Sequence, residues 1–133
     1  MSARDGSTTD AFGIEIEPQV MQDLVEAGFL AASRNMAPLA LDVFAAVIAA
    51  RPGLAAGYVG TAYALLGAGM PEKAVEALRD APPGMEIDLF RGMASLRAGR
   101  IEAGRKLLEH VAKYADQDNL RDIAKTLLAE GTS

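Results

Sequence analysis

Three residues suited to a left-handed backbone, Asn35, Gly69 and Gly99, fall 34 and 30 residues apart in a chain of 133. Each lies between two stretches whose apolar residues recur at spacings of three and four, the period of a helix buried along one side. A residue that takes φ > 0 between two such stretches turns the chain back on itself, so each pair of helices closes as a hairpin. Between the hairpins stand Arg51-Pro52-Gly53 and Ala81-Pro82-Pro83-Gly84, which end any helix that reaches them. A chain punctuated this way stacks short antiparallel helices.

Seven helices are expected. The first has Pro18 at its opening position and stops at Asn35; the others run Pro38–Ala50, Leu54–Ala68, Pro71–Asp80, Met85–Ala98, Glu102–Ala115 and Asp118–Glu130. No strand pattern of comparable strength is present. Residues 1–16 read as a flexible N-terminal tail, because Ser2, Gly6, Ser7, Thr8 and Thr9 favour turns and disorder. In that tail Phe12, Ile14 and Ile16 are the residues able to dock. Residues 17–133 then form a single helical domain.

Composition narrows the chemistry. Half the residues are hydrophobic and alanine is abundant, a helix-forming mixture whose core must be small and aliphatic. The absence of cysteine excludes disulfides, thiolate metal sites and a cysteine nucleophile. The single histidine, His110, leaves no basis for a histidine metal site or a catalytic triad. The carboxylate pairs Glu15/Glu17 and Glu86/Asp88 lie beside the tail and at a helix start, where acids are favoured by the helix dipole. No catalytic residue, metal or cofactor is expected. No apolar run reaches about 18 residues, so no membrane insertion is expected, and the polar first ten residues lack a signal-peptide layout. A cytoplasmic protein is the expectation. The net charge of −5 argues against nucleic acid as a partner. Residues 1–90 carry five Lys/Arg against twelve Asp/Glu, and residues 91–133 eight against six, so the acidity belongs to the first two-thirds.

The repeat can be written in columns. With units starting at Met21, Ala55 and Met85, position 8 holds Gly28, Ala62 and Gly92, and position 20 holds Ala40, Ala74 and Gly104. Small residues there let paired helices approach closely. Position 24 holds Phe44, Leu78 and Leu108, large enough to fill the gap toward the next unit. These columns resemble the tetratricopeptide repeat (TPR), a helix-turn-helix unit of 34 residues, over about residues 21–118. Position 4, usually Trp in that family, is Leu24, Tyr58 and Asp88 here, and Asp88 departs furthest. The resemblance implies an all-α fold: a right-handed α-solenoid of three TPR-like hairpins, at about 21–54, 55–84 and 85–118. A C-terminal capping helix at about 118–130 would cover the exposed end with Leu120, Ile123, Ala124, Leu127 and Leu128.

In that family the first helix of each unit lines a concave groove through positions 2, 5, 9 and 12. Carried over, the implied partner-binding residues are Val25, Phe29, Val59, Tyr63, Leu66, Leu89, Met93 and Leu96. The places where carboxylate-clamping relatives carry Lys, Arg or Asn hold Val25, Phe29 and Tyr63 instead, so an acidic tail is not the implied ligand. Two readings stay open: an apolar groove for a helical or extended segment of a protein partner, or a core closed by the tail. A second apolar surface is expected on Pro38–Ala50, through Leu39, Leu41, Val43 and Ile48, where Asp42 is the only charge. Either the N-terminal tail covers it or a second chain does, and a homodimer or a small helical partner is expected.

Length, repeat number and groove character are similar to the small chaperones of bacterial type III secretion. The branch that holds needle or pilus subunits is the nearer in size. The implied function is a non-enzymatic chaperone that keeps such a subunit from polymerising; the alternative is a general adaptor in another bacterial assembly.

Overall fold

The computed structural model describes residues 8–9 and 15–131. Its two short strands, β1 (Thr8–Thr9) and β2 (Glu15–Ile16), pair antiparallel, with Thr8 opposite Ile16. The tail pattern predicts no strand, so this ladder is an addition to it. Phe12 and Ile14 lie outside the described residues. Ile16 is half-buried and packs with Leu24, Val25 and Leu54 against Met21, Val47 and Ala50.

Seven helices follow: α1 (Pro18–Ser33), α2 (Ala37–Ala50), α3 (Ala55–Gly67), α4 (Pro71–Ala77), α5 (Met85–Arg97), α6 (Ile101–Tyr114) and α7 (Asp118–Gly131). Their bounds follow the sequence pattern except at α4, which stops three residues short of Asp80. The cause is on the next helix. The Arg91 guanidinium donates to the Leu78 carbonyl at 2.8 and 3.1 Å and to the Arg79 carbonyl at 3.3 Å. These bonds satisfy carbonyls at the end of α4 that a further helical turn would otherwise use.

Each helix packs on the next, and the odd-numbered helices also touch in succession, α1 on α3, α3 on α5 and α5 on α7. Three of the turns are copies of one another. Asn35, Gly69 and Gly99 have φ of 62°, 76° and 85°, the left-handed geometry that their spacing predicts. After each, an amide reaches back across the turn: Met36 to the Ala31 carbonyl at 2.9 Å, Met70 to Leu65 at 2.8 Å, and Arg100 to Ser95 at 2.8 Å. The second helix then opens with Ala40, Ala74 and Gly104 donating to Met36, Met70 and Arg100.

The small and large columns meet inside each hairpin. Ala40, Phe44, Ala62, Ala74, Leu78 and Leu108 are fully buried. A Cβ on Gly28 would lie 2.6 Å from the Phe44 ring, and one on Gly92 would lie 2.7 Å from Leu108 Cγ. Position 24 thus closes its own hairpin, where the sequence pattern points it toward the next unit. Phe44 does both, since a Cβ on Gly60 of α3 would lie 2.1 Å from its ring. At the far end Leu120 and Ala124 of α7 are buried with Leu89, Leu108, Val111 and Ala115. The Arg121 guanidinium donates to the Ala115 carbonyl at 2.6 Å and ties down the approach to α7. Among the described residues no helix is long and apolar enough to cross a membrane.

Candidate functional site

The row of odd-numbered helices leaves a hollow of about 330 Å³ along one side, reached by residues of α1, α3 and α5 and of the turn at Asn35. Tyr63 and Met93 line it, with Leu66 at its floor. Tyr63 is 40% exposed, an unusual position for a large ring with apolar neighbours. Its ring centroid lies 5.6 Å from that of Phe29, which in turn meets Phe44 edge-on at 5.0 Å. Phe29 therefore ties the hollow to the core of the first hairpin, and the two contacts hold the Tyr63 ring in place.

The other predicted groove residues divide. Val59 and Leu89 are 4% and 2% exposed and belong to the core. Val59 packs with Ala62, Leu66 and Ile87, and Leu89 with Leu108 and Val111. These two cannot meet a partner directly, which corrects the sequence-based set. The reason is the succession of odd-numbered helices: position 5 faces a neighbouring helix wherever one is present, and Val25 on the first helix stays half-buried. Leu96 is half-buried against α7, since a Cβ on Gly131 would lie 2.6 Å from its Cδ1.

Two of the larger side chains that line the hollow escape the column reading. Phe90 and Arg97 of α5 both border the hollow. Phe90 is the only aromatic on α5, and that was the available signal. Arg97 reads from sequence as an ordinary solvated cation. A smaller hollow of about 230 Å³ adjoins the first, sharing Met93 and Arg97 and continuing to Leu127 and Glu130 of α7. The open surface is thus aromatic and aliphatic in its middle, with a guanidinium where the two hollows meet.

The second predicted surface, on α2, is largely absorbed by packing. Leu41 packs against Phe44 and its neighbours, and Ile48 covers Gly57 of α3, where a Cβ would lie 2.7 Å from Ile48 Cγ1. Val43 is half-buried. Leu39, at 48% exposure, remains open beside the exposed Ala45, Ala46 and Ala49. A helix apolar nearly all round is here one that α1, α3 and Ile16 enclose on several sides.

Of the carboxylates, Glu86 is exposed and Asp88 lies 3.7 Å from the Arg91 guanidinium at the start of α5. His110 is exposed, with its ring 5.1 Å from that of Tyr114. Among the described residues no group of three or more His, Cys, Asp or Glu could hold a metal ion. No protein-family model, curated protein or solved structure matches the chain.

Proposed function

We propose that the chain is a TPR-type, right-handed solenoid that binds protein, and that the hollow along α1, α3 and α5 receives the apolar face of a helix from its partner. The supporting observation is the exposed Tyr63 ring, held by Phe29 beside Met93 and Phe90 in an open hollow. A side chain fixed in water by aromatic contacts adds area to a partner at little entropic cost. Arg97 at the rim selects partners with a carboxylate near the end of the docked helix.

The biological reading is a cytoplasmic chaperone of type III secretion. A needle-type subunit polymerises through an apolar helix, and covering that helix here keeps the subunit monomeric. Leu39 and the neighbouring alanines of α2 then offer a place for a small co-chaperone.

The test is co-expression with a candidate needle-type subunit, followed by co-elution on size exclusion and by a polymerisation assay. Tyr63→Glu combined with Met93→Glu abolishes co-elution and restores polymerisation while far-UV circular dichroism stays unchanged. Leu89→Glu, a core substitution, lowers the helical signal as well. Retention of the complex by the double variant, with its helicity intact, overturns the reading.

A further inference from the structure

The repeat carries its own control. The residues where α2, α3 and α4 meet have counterparts, displaced by 34 and 30 positions, where α4, α5 and α6 meet. At the first junction these are Leu41, Ala45, Thr61, Leu65, Met70 and Ala77. Leu65 is 7% exposed there, and Leu41 and Ala77 pack on the cluster that contains it. At the second junction the counterparts are Val75, Arg79, Arg91, Ser95, Arg100 and Leu107, and they line a hollow of about 310 Å³. Where the first junction buries Leu65 among apolar neighbours, the equivalent place in the next borders an open hollow and carries three arginines.

Ser95 stands where Leu65 stands one unit earlier. It is 6% exposed, the one buried polar side chain among the described residues. Its hydroxyl makes no hydrogen bond with them, whereas the Thr61 and Thr126 hydroxyls donate to carbonyls of their own helices. Among the described residues the buried side-chain polar atom left without a partner is Nε of Arg105, so the Ser95 hydroxyl is not sealed in the core but opens from the wall of the hollow, where it can bond to a ligand.

The three guanidiniums differ in what already holds them. Arg91 is fixed by the Leu78 and Arg79 carbonyls, and lies 3.7 Å from Asp88. Arg100 pairs with Glu72 at 2.8 Å, but both side chains are half or more exposed, so the pair is screened and readily exchanged. The Arg79 guanidinium has no hydrogen bond or ion pair with the described residues. On α5, Arg91 and Ser95 share a face that is turned away from Phe90, Met93 and Arg97, so this hollow is separate from the one proposed for a protein partner.

We propose that the hollow between α4, α5 and α6 binds the phosphoryl group of a small phosphorylated molecule. Phosphoryl oxygens accept paired hydrogen bonds from the Arg79 and Arg100 forks, with the fixed charge of Arg91 behind them. The Ser95 hydroxyl gains an acceptor, and Val75 and Leu107 give the organic body an apolar wall. The net charge of −5 works against general adsorption of anions, so binding here is local to the arginines.

Calorimetric titration of the full chain with pyrophosphate at low ionic strength tests this. Saturable one-to-one binding is expected, competed by inorganic phosphate. Arg79→Gln, an exposed change that leaves the core alone, weakens it about tenfold. Ser95→Leu, which installs the second unit's own residue, abolishes it while helicity is retained, and Tyr63→Glu leaves it unchanged. An absence of saturable binding overturns the proposal. So does binding that survives both Arg79→Gln and Ser95→Leu at full strength.

Discussion

The first hairpin, α1–α2, and the third, α5–α6, share one backbone plan and finish it differently. In both, a buried side chain of the second helix rests on a glycine of the first: Phe44 on Gly28, Leu108 on Gly92. Their outer faces diverge. The exposed face of α2 is alanine with Leu39 and Asp42, while that of α6 carries Glu102, Lys106, Glu109 and His110. Phe44 is large enough to reach across to Gly60 of α3, so its ring joins the first hairpin to the second, beside Ile48 on Gly57 and Phe29 on Tyr63. The third is held by several aliphatic contacts shared with α7. Apolar excess in α2 is therefore mainly a consequence of enclosure on several sides.

The largest expected effect follows from that ring. Phe44→Ala removes a fully buried side chain from two glycine-lined faces and should cost about 3–5 kcal/mol in urea unfolding. Leu108→Ala should cost about 2–4 kcal/mol, because neighbouring aliphatic chains from α7 can relax toward the space. If Leu108→Ala proves the costlier, the Phe44 ring does not join the first two hairpins in the way described.

Close approach gives the next effect. Gly60→Ala places a methyl 2.1 Å from the Phe44 ring and should destabilise by about 1–3 kcal/mol. Gly67→Ala, on the same helix, meets nothing within 4 Å and should stabilise by about 0.5 kcal/mol. Melting temperatures of the two variants that move in the same direction would remove the steric explanation.

The turns are a subtler test of likeness. Gly99→Ala should cost about 1–2 kcal/mol, since alanine at φ 85° brings its Cβ against the carbonyl. Asn35→Gly should gain a few tenths, about 0.5 kcal/mol at most, because asparagine already tolerates φ 62°. Equal and opposite shifts of similar size would mean the two turns differ more than their hydrogen bonds suggest.

The turns were legible in the sequence because asparagine and glycine are the residues a left-handed backbone selects, and their spacing repeats. The helices were legible for a similar reason, since proline and glycine mark their ends. The end of α4 was not, because the bonds that stop it come from Arg91, thirteen residues from Leu78. Of the residues that line the hollow, Tyr63, Leu66 and Met93 stand in the columns, but the column reading could not separate them from Val59 and Leu89. All five are apolar at helical spacing, and exposure depends on whether another helix arrives alongside. The hollow at Ser95 shows the reverse case. A serine in a column of Ala31 and Leu65 was visible in the sequence, yet its meaning required the arginines that α4 and α6 bring beside it.

The smallest effect probes the outer faces themselves. On α6 the Arg105 guanidinium donates to both oxygens of Glu102, one turn earlier, and this hydrogen bonding, then the arginine's charge, holds the Glu102 carboxyl below its ordinary range. A carboxyl lowered on folding adds stability above its unfolded pKa and loses it as pH falls through the lowered folded value. Both groups are reached by solvent, so the contribution is small and falls further in salt. Carbon-detected NMR titration should place the Glu102 midpoint below that of an unpaired glutamate, and Arg105→Gln should return it upward. On α2 Asp42 is the only charge, so that helix has no internal pair like Glu102–Arg105 to lose, and acid should loosen α6 before α2 in amide exchange. An unchanged Glu102 midpoint in Arg105→Gln would leave the charged face of α6 with no role in stability, and the two hairpins would then differ in packing alone.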